Sequence, residues 1–371
     1  MIKIATVFSG IGAIEHALDR MGLEHEIIFA CDNGNVVIDY DKDVEIEKIR
    51  KMENSKEKRD YVDNLYRSKT KKKNFVKESY LANYKVKDDN FFNDIILLDG
   101  RDFKNEVDLF VGGSPCQSFS SVGFQDGLDD TRGTLFYEYA RLIEEIHPKV
   151  FIYENVRGLY NHDKGKTWEI MQEAFNYLGY DIYQDILNSS DYGIPQTRRR
   201  LFVIGFRKDL KIRSFNYPPE KKELKYKMHD FLISSVKEGN FKSKESKLVI
   251  KKEKGEVDPK YILSPKLEKY VMSSGTKGFK TSTEIDLPIA RTILSTMGNR
   301  HRAGVDNYVT DLGEDKIRML SEREAHRLMG FIDDYKIVVS RAQAYKQAGN
   351  SIVVDVFIAI MNEILKTKVI K

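Results

Sequence analysis

Several apolar stretches of this chain end in, or run just past, a residue able to do chemistry. "ATVFSGIGA" supplies Phe8, Ser9, Gly10 and Gly12, "EIIFACD" ends at Asp32, and "DIILLD" ends at Asp99. "VDLFVGGSPCQ" delivers Pro115, Cys116 and Gln117, "VFIYEN" reaches Glu154, and "QTRRRLF" carries Arg198 and Arg200. A thiol, a carboxyl group and a pair of arginines form a set that can add a nucleophile to an activated ring or carbonyl while an acid protonates it. Cys116 sits in a Gly-Gly-Ser-Pro turn, where a core side chain is not expected, and nearby arginines would favour its thiolate. Glu154 would be an expensive unpaired charge inside the sheet, so it is expected to face a cleft with its pKa raised by partial burial. Asp32 follows Gly12 by twenty residues, the distance at which an acidic side chain commonly meets ribose hydroxyls. The turn before it has two glycines, short of the three-glycine pyrophosphate fingerprint.

Elements that place these residues can be read from periodicity. Ile14, Ala17, Leu18 and Met21 recur at helical spacing before Gly22, as do Leu135, Tyr139, Leu142, Ile143 and Ile146, and a further helix is expected from Trp168 to Leu178, closed by Gly179. Strands read between them, including 94–99 as the third and "YDIYQDIL" and "RRLFVIGF" as the last two. Alternation of this kind predicts an α/β fold with a doubly wound, mostly parallel sheet, in which ligands bind outside the carboxyl ends of the strands.

At 371 residues the chain exceeds one compact domain. Three parts are expected: a catalytic and cofactor-binding domain over 1–225, a smaller irregular β-rich domain and hinge over 226–344, and a C-terminal helix over 345–371 packing back on the first. A Lys-rich and Glu-rich insertion over about 41–93 reads as a solvated surface excursion, the usual fate of a charge run. A small helix is expected at "SPKLEKYV", with Ser264 as cap and Pro265 in the first turn. With 61 basic against 57 acidic side chains, net charge does not decide for or against a nucleic-acid partner. Two cysteines, Cys31 and Cys116, suggest neither a disulfide framework nor a metal site, and an intracellular, cytoplasmic protein is expected. No targeting or membrane segment is read, because the apolar tail is interrupted by Asp355, Asn362 and Glu363.

Taken in order, "FSGIGAIE", "GGSPCQSFS", "TRGTLF", "ENVRGL", "DYGIPQTRRRLFVIGFR", "SEREAHRLMGF" and "QAYKQAGNSIVV" resemble the motifs of cytosine-5 DNA methyltransferases of the bacterial restriction-modification type. The resemblance implies an S-adenosylmethionine-dependent fold whose product is S-adenosylhomocysteine, and duplex DNA as substrate. It implies that Cys116 attacks carbon 6 of a flipped-out cytosine while Glu154 engages ring nitrogen 3, with Gln117 in the loop beside the nucleophile. Arg198 and Arg200 resemble the arginines that hold the base and Glu154. Phe8, Ser9, Gly10, Gly12, Asp32, Asp99, Pro115, Leu135, Asn350 and Ile352 match cofactor-pocket positions, with Asp32 toward the ribose, Asp99 toward the adenine amino group and Asn350 at a helix start. Two departures stand out: Ala13 replaces a common glycine, and Asn33 replaces a large side chain able to stack on adenine. The family further implies a monomer in a prokaryotic cell or encoded by a phage, with a cognate restriction endonuclease acting separately.

Two rivals compete with this expectation. An RNA cytosine methyltransferase can carry the same motifs, but the sizeable variable part favours a reader of duplex grooves. A nicotinamide oxidoreductase would need a third glycine and leaves the Pro-Cys turn unexplained. "ARTILSTMGNRHRAGVDNYV" resembles a target-recognition element, with Thr292, Asn299, Arg300, His301 and Arg302 as donors toward DNA. Arg300→Ala and Arg302→Ala separate base readers from phosphate contacts: a base reader relaxes one position of the methylated sequence, and a phosphate contact weakens all sequences alike. Methylome sequencing should find at least one variant with a relaxed motif.

Overall fold

The structure, a computed structural model, describes residues 1–115, 135–220, 223–273, 275–276, 279–280, 283–298, 304–313 and 315–370. Strand β1 (Ile2–Val7) runs into a turn with left-handed backbone at Phe8, Gly10 and Gly12, and helix α1 (Ala13–Met21) begins at once. Gly12 is required twice over. Its φ is +79°, and an added Cβ would lie 2.1 Å from the Tyr84 ring. Gly22, also left-handed, closes α1 as expected. Strand β2 (His25–Cys31) then pairs parallel with β1.

The charged insertion lies at the surface and is helical, but one face of it is packed. It forms α2 (Lys42–Arg50), α3 (Ser55–Lys69) and α4 (Phe75–Asn83), whose first turns are capped by the side chains of Asp41, Asn54 and Asn74. Val62 and Tyr66 of α3 join Val36, Ile49 and Leu97 in a small core of their own. Charge runs hide this packing because α2 and α3 keep one polar face in water while the other face meets residues far along the chain.

Strand β3 (Phe91–Phe92) corrects a second expectation, since the third strand ends before 94–99 begins. Asp94 stops it: its Oδ1 accepts the backbone N–H of Ile96 at 2.9 Å, turning the chain two residues after Phe92. Next come β4 (Leu109–Gly112), α5 (Leu135–Ile146), β5 (Val150–Val156), α6 (Lys166–Tyr177), β6 (Tyr180–Asn188) and β7 (Arg199–Arg207). The sheet order is β3-β2-β1-β4-β5-β7-β6, with β7 antiparallel to both its neighbours and the other pairs parallel.

Period-two alternation divides the sheet between two cores. Ile4, Leu109, Val111, Val150, Ile152 and Ile204 face one, together with Ala17 and Leu18 of α1. Ala5, Phe110, Phe151, Tyr153 and Val203 face the other, under α5 and α6.

The remaining chain is built from short pieces: the hairpin β8 (Phe241–Lys244) and β9 (Lys247–Ile250), α7 (Pro265–Val271), the pairs β10 (Gly275–Thr276) with β11 (Phe279–Lys280) and β12 (Tyr308–Val309) with β13 (Arg318–Met319), and α8 (Glu322–Arg327). Ser264 caps α7 with Pro265 in its first turn, as expected, and a Ser321–Glu324 capping box opens α8. Helix α9 (Arg341–Asn350) and helix α10 (Val354–Lys366) follow. Val354, Phe357, Ile360 and Met361 of α10 are buried in the core that α1 lines. Arg20 of α1 fixes that docking, binding both carboxylate oxygens of Asp355 at 2.7 and 2.9 Å and the carbonyl oxygens of Gly330 and Ser246 at 2.8 and 3.0 Å.

Because this ion pair is largely out of water, removing one partner strands the other. Arg20→Ala should cost about 3–5 kcal/mol in denaturant unfolding, and the Arg20→Ala/Asp355→Ala pair should cost less than the two single losses added together.

Candidate active site

Strands β4 and β5 run side by side with Gly112 opposite Tyr153, and Gly113 follows beside Glu154. A Cβ on Gly113 would sit 2.4 Å from the Glu154 carbonyl oxygen and 3.1 Å from its Oε2, so only glycine lets the acid lie against the start of the Pro-Cys turn. The turn is tied down from β5. Asn155 donates through Nδ2 to the Ser114 carbonyl at 2.9 Å, and the Ser114 hydroxyl meets the Tyr153 hydroxyl at 2.6 Å. Pro115 is the exposed end of this described segment. Cys116 and Gln117 lie outside the described residues, the thiol two positions beyond the anchored Ser114.

Glu154 faces the Arg200 guanidinium, with Nε 3.3 Å from Oε1. Burial pushes its carboxyl above the ordinary value, and the positive charges of Arg200 and then Arg198 oppose that rise without cancelling it. The group is thus suited to hold or release a proton nearer neutrality than an exposed glutamate.

Arg198 behaves differently from the expectation that both arginines hold the base and the acid. Its guanidinium donates to the carbonyl oxygens of Ile293, Gly349 and Ser351 at 3.0, 3.0 and 2.9 Å. With these donors occupied, it fastens β7 to the 290s loop and to the junction of α9 and α10, and it reaches Glu154 only through its charge. Gln196 reinforces the same joint: Oε1 accepts the Ile293 N–H at 2.9 Å and Nε2 donates to the Leu328 carbonyl at 2.6 Å.

The carboxyl ends of β1, β2 and β3 form the second half of the site. Asp32 accepts the N–H groups of Gly10 at 2.9 Å and Gly34 at 2.8 Å, which locks the glycine turn against β2; burial nonetheless raises its carboxyl. Ser9 bridges the same strands, its hydroxyl accepting the Cys31 N–H at 3.0 Å. Phe8 and Leu135 are half-buried against the core under α5. Asp99 does not stand at a strand end. It caps a short 3-10 helix over Gly100–Phe103, and although burial would lift its carboxyl, hydrogen bonds from Arg101 and Lys58 hold it well below the ordinary range. The acid nearest the end of β3 is Asp94, two residues past the strand that pairs with β2 and hidden by the expected 94–99 strand.

Asn350 is the exposed last residue of α9 rather than a helix start, and Ile352 is half-buried between α9 and α10. Thr292 donates its hydroxyl to the Thr197 carbonyl at 2.6 Å, close to Arg198 in sequence. Asn299, Arg300, His301 and Arg302 lie outside the described residues. The thiol of Cys31, buried in the sheet, is pushed up by that burial and then by Asp94 and Asp32, which leaves it unreactive. Besides Asp94, periodicity missed Ser114 and Asn155, whose polar ends look like ordinary turn residues until β4 and β5 are aligned.

The family described as "C-5 cytosine-specific DNA methylase" matches residues 2–366. Type II methyltransferase M.SsoII of Shigella sonnei is 35% identical over 303 residues, spanning 79% of this chain and 72% of its own length. Type II methyltransferase M.HpaII of Haemophilus parainfluenzae is 35% identical over 311 residues, spanning 78% and 80%. Among solved structures, a methyltransferase of Entamoeba histolytica, EhMeth, superposes with a TM-score of 0.64 at 14% identity over 99% of this chain and 98% of its own, a likeness of fold.

A carboxyl whose folded-state pKa is raised stabilises the fold in its protonated form. That contribution is complete below the ordinary value of 4.5 and is lost as pH rises through the raised value. Glu154→Gln should therefore melt higher than the parent at pH 8, by roughly 1.4 kcal/mol for each unit of the rise, with the gap closing toward pH 4 in a pH series of thermal melts.

Proposed function

Because the chain belongs to the C-5 cytosine-specific DNA methylase family and is a DNA cytosine-5 methyltransferase of the restriction-modification type, we propose that it acts on a flipped-out cytosine through a covalent cysteine adduct, with S-adenosylmethionine as methyl donor. The observation that carries this reading is the approach of Glu154 to Gly113, a residue that precedes Cys116 by three positions in the sequence. A proton-bearing acid and a thiolate nucleophile together suit addition to the two ends of one unsaturated ring system.

Cys116 adds to carbon 6 of the ring as its thiolate, and the displaced electron pair moves toward nitrogen 3. Glu154 gives its proton to that nitrogen, and Arg200 then balances the carboxylate left behind. Carbon 5 becomes electron-rich. The donor supplies an electrophilic methyl group when bound. Once carbon 5 carries the methyl, a water molecule takes its proton, the pair of that carbon–hydrogen bond forms the carbon 5–carbon 6 double bond, Cys116 leaves as thiolate with the electrons of its own bond, and nitrogen 3 returns its proton to Glu154. Extrusion of the base is needed because the face of a stacked ring is closed to the thiol.

The described residues fit an adenosine-type donor. Asp32, held by two backbone amides at the carboxyl end of β2, suits ribose hydroxyls; for the adenine amino group Asp94 is a better acceptor than Asp99, whose carboxylate already accepts from Arg101 and Lys58. Phe8, Ser9, Gly10, Gly12, Pro115, Leu135, Asn350 and Ile352 complete the surroundings in this reading. The part over 226–344 reads the duplex through Thr292, Asn299, Arg300 and Arg302, and a cognate endonuclease acts separately on the same sequence. The enzyme works as a monomer in the cytoplasm of a prokaryotic cell, as befits relatives from bacteria and phages.

Cys116→Ser should lose methyl transfer while still binding duplex DNA and S-adenosylmethionine. The parent should form a covalent complex with duplex DNA carrying 5-fluorocytosine, only when the donor is present, because fluorine does not leave as a proton does. Denaturing gels with and without donor check this: absence of the shifted band in the parent, or its persistence in Cys116→Ser, would sink the covalent mechanism.

A further inference from the structure

Tyr40 stands just before α2 and Tyr66 near the end of α3, yet their hydroxyls meet at one atom. Both donate to Asp94 Oδ2 at 2.8 Å. Oδ1 accepts the Ile96 N–H at 2.9 Å. A carboxylate has about four acceptor positions, so these donors hold Asp94 in one orientation and leave Oδ1 room for another donor. Burial pushes the Asp94 carboxyl above its ordinary value, and the two phenols, with the Ile96 N–H, oppose that rise and favour the charged, acceptor-only form.

The same segment of chain closes on the neighbouring strand ends. Asn74 of α4 donates to the Asp32 carbonyl at 2.6 Å, and the Tyr84 ring covers Gly12. Its helices therefore contact the ends of β1, β2 and β3, where the donor is proposed to bind, and its most direct chemical effect is on Asp94.

We propose that Tyr40 and Tyr66 are positioning residues which, by keeping Asp94 a fixed hydrogen-bond acceptor, make the cofactor site select a purine with an amine at carbon 6 over one with a carbonyl there. This rests on the reading of an adenosine-type donor at these strand ends. An amine offers Asp94 a proton, whereas a carbonyl sets acceptor against acceptor in a buried place, a mismatch that costs roughly ten- to hundredfold in affinity. Without the phenols the carboxyl turns or takes a proton, and the preference narrows.

The test measures binding of S-adenosylhomocysteine and S-inosylhomocysteine to the full chain by calorimetry, alongside duplex DNA binding. The parent should prefer the adenosyl compound. Tyr40→Phe/Tyr66→Phe should lose about tenfold in affinity for it, with less than a twofold change for the inosyl compound and for DNA. Asp94→Asn, whose amide can donate, should abolish the preference without removing either phenol. Equal loss of both nucleosides in the Tyr40→Phe/Tyr66→Phe protein would make the tyrosines merely structural and overturn the proposal. So would an unchanged preference in Asp94→Asn, while adenosyl binding by the parent keeps the donor reading intact. A parent that binds neither compound overturns the donor reading itself.

Discussion

Everything the site can do depends on how closely β4 and β5 approach at Gly113. A single missing Cβ lets the backbone and carboxylate of Glu154 lie against the first residues of the Pro-Cys turn, and no other residue type fits there without pushing the strands apart. The consequences spread along both strands. Asn155, next to the acid, holds Ser114 by its carbonyl, and Tyr153, before the acid, holds Ser114 by its hydroxyl. One strand thus supplies the acid and, on either side of it, the anchors of the neighbouring turn. On the far side of β5, the antiparallel β7 brings Arg200 opposite Val156 and within 3.3 Å of Glu154, so the acid has turn on one flank and cation on the other.

Much of this arrangement was legible in the residues, and the parts that were not share a physical cause. The glycine turn after β1, the Pro-Cys turn after β4, the acid in β5 and the polar surroundings of Asp32 all follow from local rules: period-two apolar runs, glycine at left-handed positions, polar groups at strand ends. Asp94 escaped because the apolar run "IILL" beside it imitates a strand, whereas Leu97 serves the small core beneath α3 and Ile95 and Leu98 serve the core under α5, and the true strand is only two residues long. Arg198 escaped for a different reason. Its position in an arginine-rich motif is local information, but its three carbonyl partners come from residues about ninety-five to a hundred and fifty positions away, which no spacing rule reaches. Composition placed the charged insertion at the surface, but it reports only how a helix meets water, not what its other face meets.

Two cationic joints hold the remaining parts of the chain to the sheet, by the same device. Arg198 gathers three carbonyls and Arg20 gathers two carbonyls and a carboxylate, each at a place where the end of a short element would otherwise leave buried acceptors without donors. A planar guanidinium with several N–H groups is suited to this, since it satisfies several acceptors from one side chain. The cost appears at Arg198 Nε and Arg20 Nε, which are buried without a partner among the described residues.

The docking of α10 on α1 also sets an order in time. Helix α1 emerges long before α10 during synthesis, and both pack on the same face of the sheet. Until Asp355 and the apolar stripe from Val354 to Ile364 have emerged, that face is bare and Arg20 lacks its carboxylate. A nascent chain therefore carries its glycine turn, its cysteine and its acid long before it has the packing that holds them in register. A chain synthesised only as far as α9 exposes to chaperones the apolar surface that α10 later covers.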